Sequence, residues 1–152
     1  MNTLEKIRGF EIAKGFEKEG VNLPKRATTH AAGYDIESIE DTIIQPNEFK
    51  LVGTGVKAYM QRDEFLALYV RSSTPLKKGL LKGNGVGVID SDYYSNPSND
   101  GHIMMQLLNV TNEPVIIQKG ERIGQAVFQK FLLTDDDIAG EERTSGFGST
   151  GK

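Results

Sequence analysis

The chain has 152 residues, enough for one domain with its own core. Hydrophobic residues make up 38%, charged residues 26% and the mean hydropathy is -0.38, the balance of an ordinary soluble globular protein. A formal net charge of -3, no cysteine and only two histidines exclude disulfides and thiolate chemistry, and they argue against a histidine-rich zinc site, avid binding to a nucleic-acid polymer and binding to an anionic membrane, while a local basic pocket for a small anion stays open.

In chain order, the expected elements are mostly strands. Phe10 to Phe16, Tyr34 to Ile39 and Lys50 to Tyr59 come first, and Glu64 to Val70 alternates bulky residues in a strand-like way. One short helix is expected next: Thr74 as N-cap, Pro75 at the first helical position, and Leu76 to Leu81 as about two turns weakened by Gly79. The apolar run Val86 to Ile89 reads as a half-buried strand. Ile103 to Val110, Val115 to Ile117 and Gln125 to Phe131 follow, the last two separated by the turn-like Gln118–Glu121. Pro24, Pro46 and Pro114 fall between these runs, where they cost no ladder hydrogen bond. Short strands, 17 glycines and closely spaced turns predict an all-β sandwich or barrel. No apolar run resembles a signal peptide or a membrane span, so a cytoplasmic location is expected.

Chemistry concentrates in two places. The run Gly87-Val88-Ile89-Asp90-Ser91-Asp92-Tyr93 leads from apolar residues into two acids and an aromatic ring. Read as a strand throughout, it puts Asp90 and Asp92 on one face and Tyr93 on the other. Asp90 then sits at the rim of a core, where a carboxylate can take a proton from water; the plainer reading is an acidic strand end. The second place is the segment from Gly140 on, with four glycines in thirteen residues, one arginine, one phenylalanine and several hydroxyls. It reads either as a disordered tail or as a nucleotide-binding lid, with guanidinium and hydroxyls for phosphate and a ring to stack on a base. Residues 146–152 fit the G-x-x-x-x-G-K pattern, but no helix is expected to follow and the final Ser/Thr is missing, so a P-loop is rejected.

Five segments then line up with one family. Ala31-Ala32-Gly33-Tyr34-Asp35, Arg71-Ser72-Ser73, the stretch from Gly83-Asn84-Gly85 to Tyr93, Gly120-Glu121-Arg122-Ile123-Gly124-Gln125, and Arg143-Thr144-Ser145-Gly146-Phe147-Gly148-Ser149-Thr150-Gly151 resemble the five motifs of trimeric dUTPases, in order and at similar spacing. The resemblance implies a jelly-roll-like β-barrel or sandwich, a homotrimer with active sites at subunit junctions, and hydrolysis of dUTP to dUMP and pyrophosphate. That reaction limits uracil incorporation into DNA and supplies dUMP for thymidylate synthesis. It further implies a body over residues 1–139 and a nucleotide-closing tail over 140–152 of the same domain. Mg2+ would be held by the triphosphate, with no direct protein ligands.

By the same resemblance Asp90 is the general base that activates water against the α-phosphorus. Arg71, Ser72, Ser73 and Gln125 contact the phosphates, as do Arg143, Ser149 and Thr150 from the tail. Asn84 and the backbone of Gly87, Val88 and Ile89 read the uracil edge, and how tightly that hairpin closes decides whether thymine's methyl is excluded. Tyr93 lies under the deoxyribose and Phe147 stacks on the base. Asp35 either caps the turn after Gly33 or lies near the phosphates and the metal's waters. Asp92 reads as a supporting acid, Arg122 as a plain surface charge, and His30 and His102 as structural or exposed.

The chain departs from the family pattern after Tyr93. Many members continue with Arg-Gly, whereas Tyr94-Ser95 is followed here by Asn96-Pro97-Ser98-Asn99-Asp100-Gly101. This polar insert at 94–101 is either a turn or a docking surface for a protein partner. Two alternatives belong to other classes. A dCTP deaminase of the same fold relies on a central glutamate and generally lacks such a tail, which Asp90 and Phe147 oppose. A nucleotide-gated protein-binding regulator would need no turnover, yet a full set of candidate catalytic groups is present.

Overall fold

The computed structural model describes residues 5–140. Twelve strands carry the described fold: β1 (Gly9–Ile12), β2 (Lys25–Arg26), β3 (Tyr34–Glu37), β4 (Thr42–Ile44), β5 (Phe49–Gly53), β6 (Val56–Tyr59), β7 (Glu64–Tyr69), β8 (Leu80–Lys82), β9 (Gly87–Asp90), β10 (Met104–Asn109), β11 (Val115–Ile117) and β12 (Arg122–Lys130). One helix, α1 (Thr74–Lys78), and a 3-10 turn over Ser91–Tyr93 complete it. The strands form a five-stranded sheet in the order β2-β3-β12-β7-β9, a three-stranded sheet β5-β10-β8, and the pairs β1-β6 and β11-β4. This is the expected all-β, jelly-roll-like class, with sheets stacked rather than closed into one barrel ladder.

The core lies between the two larger sheets. Alternate residues of β7 and β10 point inward, so Leu66, Leu68, Met105 and Leu107 are almost fully buried, as are Ile123 and Ala126 of β12, where a register shift at Ile123 breaks the alternation, together with Ile36 and Val52. Gly124 marks a close approach: a Cβ there would stand 2.4 Å from Met105 Cε in the facing sheet and 2.8 Å from the Tyr69 carbonyl oxygen of the neighbouring strand. A β-bulge between Arg122 and Gly124 accompanies that approach. The rings of Phe10, Tyr34 and Phe128, with centroids 5.4 to 6.1 Å apart, pack β1 onto β3 and β12.

Several expected boundaries move, each for a local reason. The run Lys50 to Tyr59 is two strands, because Gly55 turns with a φ of +74°. That turn is held by Thr54 Oγ1, which donates to the Ile103 carbonyl at 2.6 Å, and by the Gly55 N–H, which donates to His102 Nε2 at 2.9 Å. His102 is thereby structural. The first strand ends at Ile12 rather than Phe16. The helix N-cap position is Ser73, not Thr74, with no side-chain cap hydrogen bond, and the helix stops at Lys78 because Gly79 takes the left-handed conformation and returns its N–H to the Pro75 carbonyl. Leu80 and Leu81 therefore belong to a strand. The short strands β2, β4 and β8 carry no alternating run long enough to be read from sequence.

The strand expected through Tyr93 ends at Asp90, and the chain tightens into the 3-10 turn. The alternation that placed Asp90 and Asp92 on one face and Tyr93 opposite therefore fails beyond Asp90. The insert that follows is stapled by one buried side chain. Asn96 Nδ2 donates to the Tyr93 carbonyl at 2.7 Å and to Asn99 Oδ1 at 2.8 Å, while its Oδ1 accepts from the N–H groups of Ser98 and Asn99. Asp100 closes the outer side by accepting from Lys57 Nζ at 2.9 Å and from the Lys14 N–H at 2.8 Å. Residues 94–101 are thus an ordered turn whose polar groups largely satisfy one another.

Candidate active site

Strand β7 places the functional groups, because the strands that carry them lie along its two sides. On one side β9 runs antiparallel to it, with Phe65 opposite Asp90 and Leu68 opposite Gly87. On the other side β12 pairs Gln125 with Tyr69, and β3 in turn pairs Asp35 with Gln125. Arg71, Ser72 and Ser73 follow directly from the far end of β7. Asp90 is therefore level with the start of β7 and Arg71 lies past its end. At about 3.3 Å per residue the six residues from Phe65 to Arg71 span about 20 Å.

The phosphate-facing candidates cluster at the far end. Asp35 Oδ1 lies 3.4 Å from Arg71 Nε, and Asp35 Oδ2 lies 3.5 Å from Arg122 Nη1. Asp35 thus sits in β3 with a guanidinium against each oxygen; it is not a turn cap, and Arg122 is more than a surface charge. Gln125 Nε2 donates to the Val70 carbonyl at 3.3 Å. Gly33 makes room for that side chain, since a Cβ there would fall 2.2 Å from Gln125 Oε1. Beside these residues opens a cleft of about 370 Å3 lined by Arg71, Ser73, Lys77, Lys78 and Arg122. Glu121, also at its wall, pairs with Lys78. Ser72 is exposed and Ser73 sits at the helix N-cap position. Four cations against two carboxylates make this end attractive to a polyanion.

The base-reading candidates sit at a strand edge. β9 is the last strand of its sheet, and no further strand pairs with its outer side among the described residues. Part of the backbone N–H and C=O groups of Gly87, Val88 and Ile89 therefore faces outward. Gly87 is buried against Leu68, Ile89 is half-buried, and the Val88 side chain is exposed. Residues 83–86 do not form a β-hairpin, as expected from sequence; they cross from the sheet of β8 to the sheet of β9. The crossing is a tight turn in which the Gly85 N–H donates to the Lys82 carbonyl at 2.9 Å, with Gly85 at a φ of +73°. Asn84 is exposed at its tip, and its Oδ1 accepts a hydrogen bond from Lys82 Nζ at 2.7 Å. Burial draws the Lys82 pKa down from 10.5 to about 8.

Asp90 ends β9 with an extended backbone and a partly buried side chain. Tyr93 is only 5% exposed. Its hydroxyl donates to the His102 carbonyl at 2.7 Å and accepts from Asn99 Nδ2 at 2.8 Å, which ties the ring to the insert. Arg143, Phe147, Ser149 and Thr150 lie outside the described residues. Among the described residues no group of three or more His, Asp or Glu side chains comes together as a metal cage. None of the described helices is long and apolar enough to cross a membrane.

Sequence reasoning missed two members of this arrangement. Arg122 could have been found from its place three residues before Gln125 in the same strand. Lys82, between a leucine and a glycine, carries no signal that its ammonium turns inward.

A family model described as dUTPase matches residues 19–151. The chain is 57% identical over 148 residues to the deoxyuridine 5'-triphosphate nucleotidohydrolase of Lactococcus lactis, an alignment covering 96% of this chain and 99% of that one. It is similar to the crystal structure of dUTPase from Streptococcus mutans, with a TM-score of 0.80, 54% identity, and coverage of 84% of this chain and 98% of the other. A dUTPase variant from phage phi11 of S. aureus, at 17% identity and a TM-score of 0.72 over 90% of this chain and 98% of its own, shares the fold; its structure concerns the coordination of a structural Mg(II) ion in that protein.

Proposed function

The chain belongs to the dUTPase family and hydrolyses dUTP to dUMP and pyrophosphate, and from that premise we propose how its residues divide the work. Asp90 takes a proton from a water molecule, whose oxygen attacks the α-phosphorus in line with the departing pyrophosphate. The α–β bridging bond breaks and its electron pair leaves with the pyrophosphate. Such a base contributes about 10²–10⁴ in rate. Ser72 and Ser73 donate to oxygens that gain charge as this bond breaks, and Arg71 and Gln125 hold the chain of phosphates. Arg71 exchanges its in-chain partner, Asp35, for a phosphate.

The base is read by the outer edge of β9 and by Asn84. This edge is the observation that carries the reading: backbone donors and acceptors fixed by pairing with β7 present one unchanging pattern, as a complementary base would. A ligand with a different donor–acceptor pattern leaves such groups unpaired and is rejected by up to about 10⁴–10⁵. Tyr93, packed and tied at its hydroxyl, forms the floor under the deoxyribose and leaves no room for a 2'-hydroxyl. The segment 140–152 closes over the nucleotide, with Phe147 on the base and Arg143, Ser149 and Thr150 on the γ-phosphate.

Magnesium is the implied metal, and the donor set fits an ion carried by the triphosphate. Asp35 offers the one described carboxylate flanked by both arginines, where it can accept hydrogen bonds from metal-bound waters rather than bind the ion itself. The bound ion neutralises triphosphate charge.

The working unit is a homotrimer with sites between subunits. The length of β7 supports this, since about 20 Å separates the level of Asp90, opposite Phe65, from Arg71 of the same chain. So does the outward face of the β5-β10-β8 sheet, where Phe49 (60% exposed), Leu51 and Leu81 leave apolar surface uncovered. Incubation with Mg2+ and dUTP, dTTP, dCTP or UTP tests the assignment. Pyrophosphate from dUTP alone supports it; equal turnover of dUTP and UTP would remove Tyr93 from its role. A monomer that turns over at full rate would sink the shared site.

A further inference from the structure

We propose that Lys82 is a positioning residue that fixes which end of the Asn84 side-chain amide faces the nucleotide base, and so sets discrimination between uracil and cytosine. The inference rests on the reading above that Asn84 contacts the base.

Lys82 is 8% exposed, and a lysine is seldom buried without a partner that repays its desolvation. Its backbone continues the β8 ladder opposite Leu107. Its ammonium lies beneath the crossing turn, where a Cβ on Gly87 would stand 3.1 Å from Nζ. A glycine at 87 thus leaves the space that the ammonium occupies. From there it reaches Asn84 Oδ1 at 2.7 Å.

The chemistry of the two groups decides the orientation. An asparagine amide has one accepting end and one donating end, and the two are nearly the same shape. Turned by half a rotation, it would offer its oxygen to a ligand instead of its nitrogen. A lysine nitrogen that donates hydrogen bonds rejects that rotation, because Nδ2 would then face a donor. With Oδ1 held inward, Nδ2 is left to face the ligand. A donor at this position suits the carbonyl oxygens of uracil. It opposes the 4-amino group of cytosine, which is itself a donor. The backbone of β9 reads a fixed pattern by its covalent structure; Lys82 gives the one reading side chain the same single-mindedness.

The test compares kcat/KM for dUTP and dCTP, both followed by pyrophosphate release, in the full chain and in K82M, K82R, K82Q and N84A. K82M keeps most of the stem and removes the donor, and is expected to lower the dUTP:dCTP ratio at least about tenfold. K82Q, whose amide can donate or accept, is expected to lower it as well. K82R, a pure donor, is expected to keep it. A general loosening of the fold would lower both substrates together and leave the ratio unchanged. If N84A lowers the ratio while K82M and K82Q do not, the orientation lock is wrong and the base-reading role of Asn84 stands. If N84A also leaves the ratio unchanged, Asn84 does not read the base and the inference falls with that reading. Should K82M fail to fold, K82Q against K82R carries the same decision.

Discussion

Two groups of residues beside β7 present opposite solutions to recognition. In β9 and the crossing turn before it, the parts are glycines, backbone groups and one exposed amide held by a buried lysine. Around Asp35, by the far end of β7, long exposed or half-exposed cations rest on a carboxylate, with Arg71 and Arg122 both more than 3 Å from Asp35. A base must be read by the pattern of its donors and acceptors, and pattern demands parts that do not move. A triphosphate must be met by charge, and charge acts over longer distances and tolerates adjustable side chains. In the proposed division of work, the rigid parts set which nucleotide is accepted, and the charged parts set how strongly it is held.

The largest effect that would sharpen this contrast is removal of residues 141–152, which bring the sole arginine of the proposed lid. By comparison with arginine fingers elsewhere, turnover should fall about 10³–10⁵-fold, with the melting temperature little changed; normal hydrolysis by the truncated chain would show the lid to be a bystander. Next is Asp90→Asn, for which kcat should fall by about 10²–10⁴ while dUTP binding, measured by calorimetry with a slowly hydrolysed analogue, stays nearly intact. A loss of binding without loss of kcat would move Asp90 out of the reacting centre.

Raising ionic strength is a milder way to break the comparison. Between 0.05 and 0.5 M salt, KM for dUTP should rise several-fold, because the cations of the phosphate end are exposed and screened. The dUTP:dCTP ratio should stay constant, because neutral groups read the base. A ratio that drifts with salt would mean that charge contributes to base choice.

The smallest effect concerns stability and the turn between β5 and β6. Burial lowers the His102 pKa below its usual 6.5, against a weaker opposing pull from Glu40. The neutral ring accepts the Gly55 N–H. Because the unfolded chain takes up the proton more readily, the stability contributed above about pH 6.5 is lost as pH falls through that value towards the lowered one. The melting temperature should drop by a few degrees between pH 7.5 and 5. In His102→Gln, which can still accept from Gly55, the drop should shrink; an unchanged acid slope would place the titration elsewhere.

The sequence disclosed these two groups unequally. Long alternating strands such as Glu64–Tyr69 and Met104–Asn109 were legible because burial on one face imposes a period of two. β2, β4 and β8 were not, since two or three residues carry no period; β11, equally short, was legible only as the apolar run Val115–Ile117 between Pro114 and a turn. The acids and arginines of the candidate site were legible as motifs. The grouping of Asp35, Arg71, Arg122 and Gln125 was not, since it depends on the register of β3, β12 and β7. Asp92 and Tyr93 were assigned to faces by continuing a strand past Asp90, where the 3-10 turn breaks the alternation. Lys82 was passed over because composition makes every lysine look solvated.

The insert at 94–101 bears on how such a site can diverge. Many of its bonds run within itself, through Asn96 and Asn99, and it reaches outward at Tyr94, Ser95 and Asp100 and to the Tyr93 hydroxyl. A loop closed in this way behaves as a cassette: relatives could exchange its exposed positions, Pro97 and Ser98, without disturbing the packed Tyr93 ring, so long as the two asparagines remain. Variation there should be read as drift on a clamped scaffold, whereas a change at Asn99 would reach the buried Tyr93 ring through its phenol.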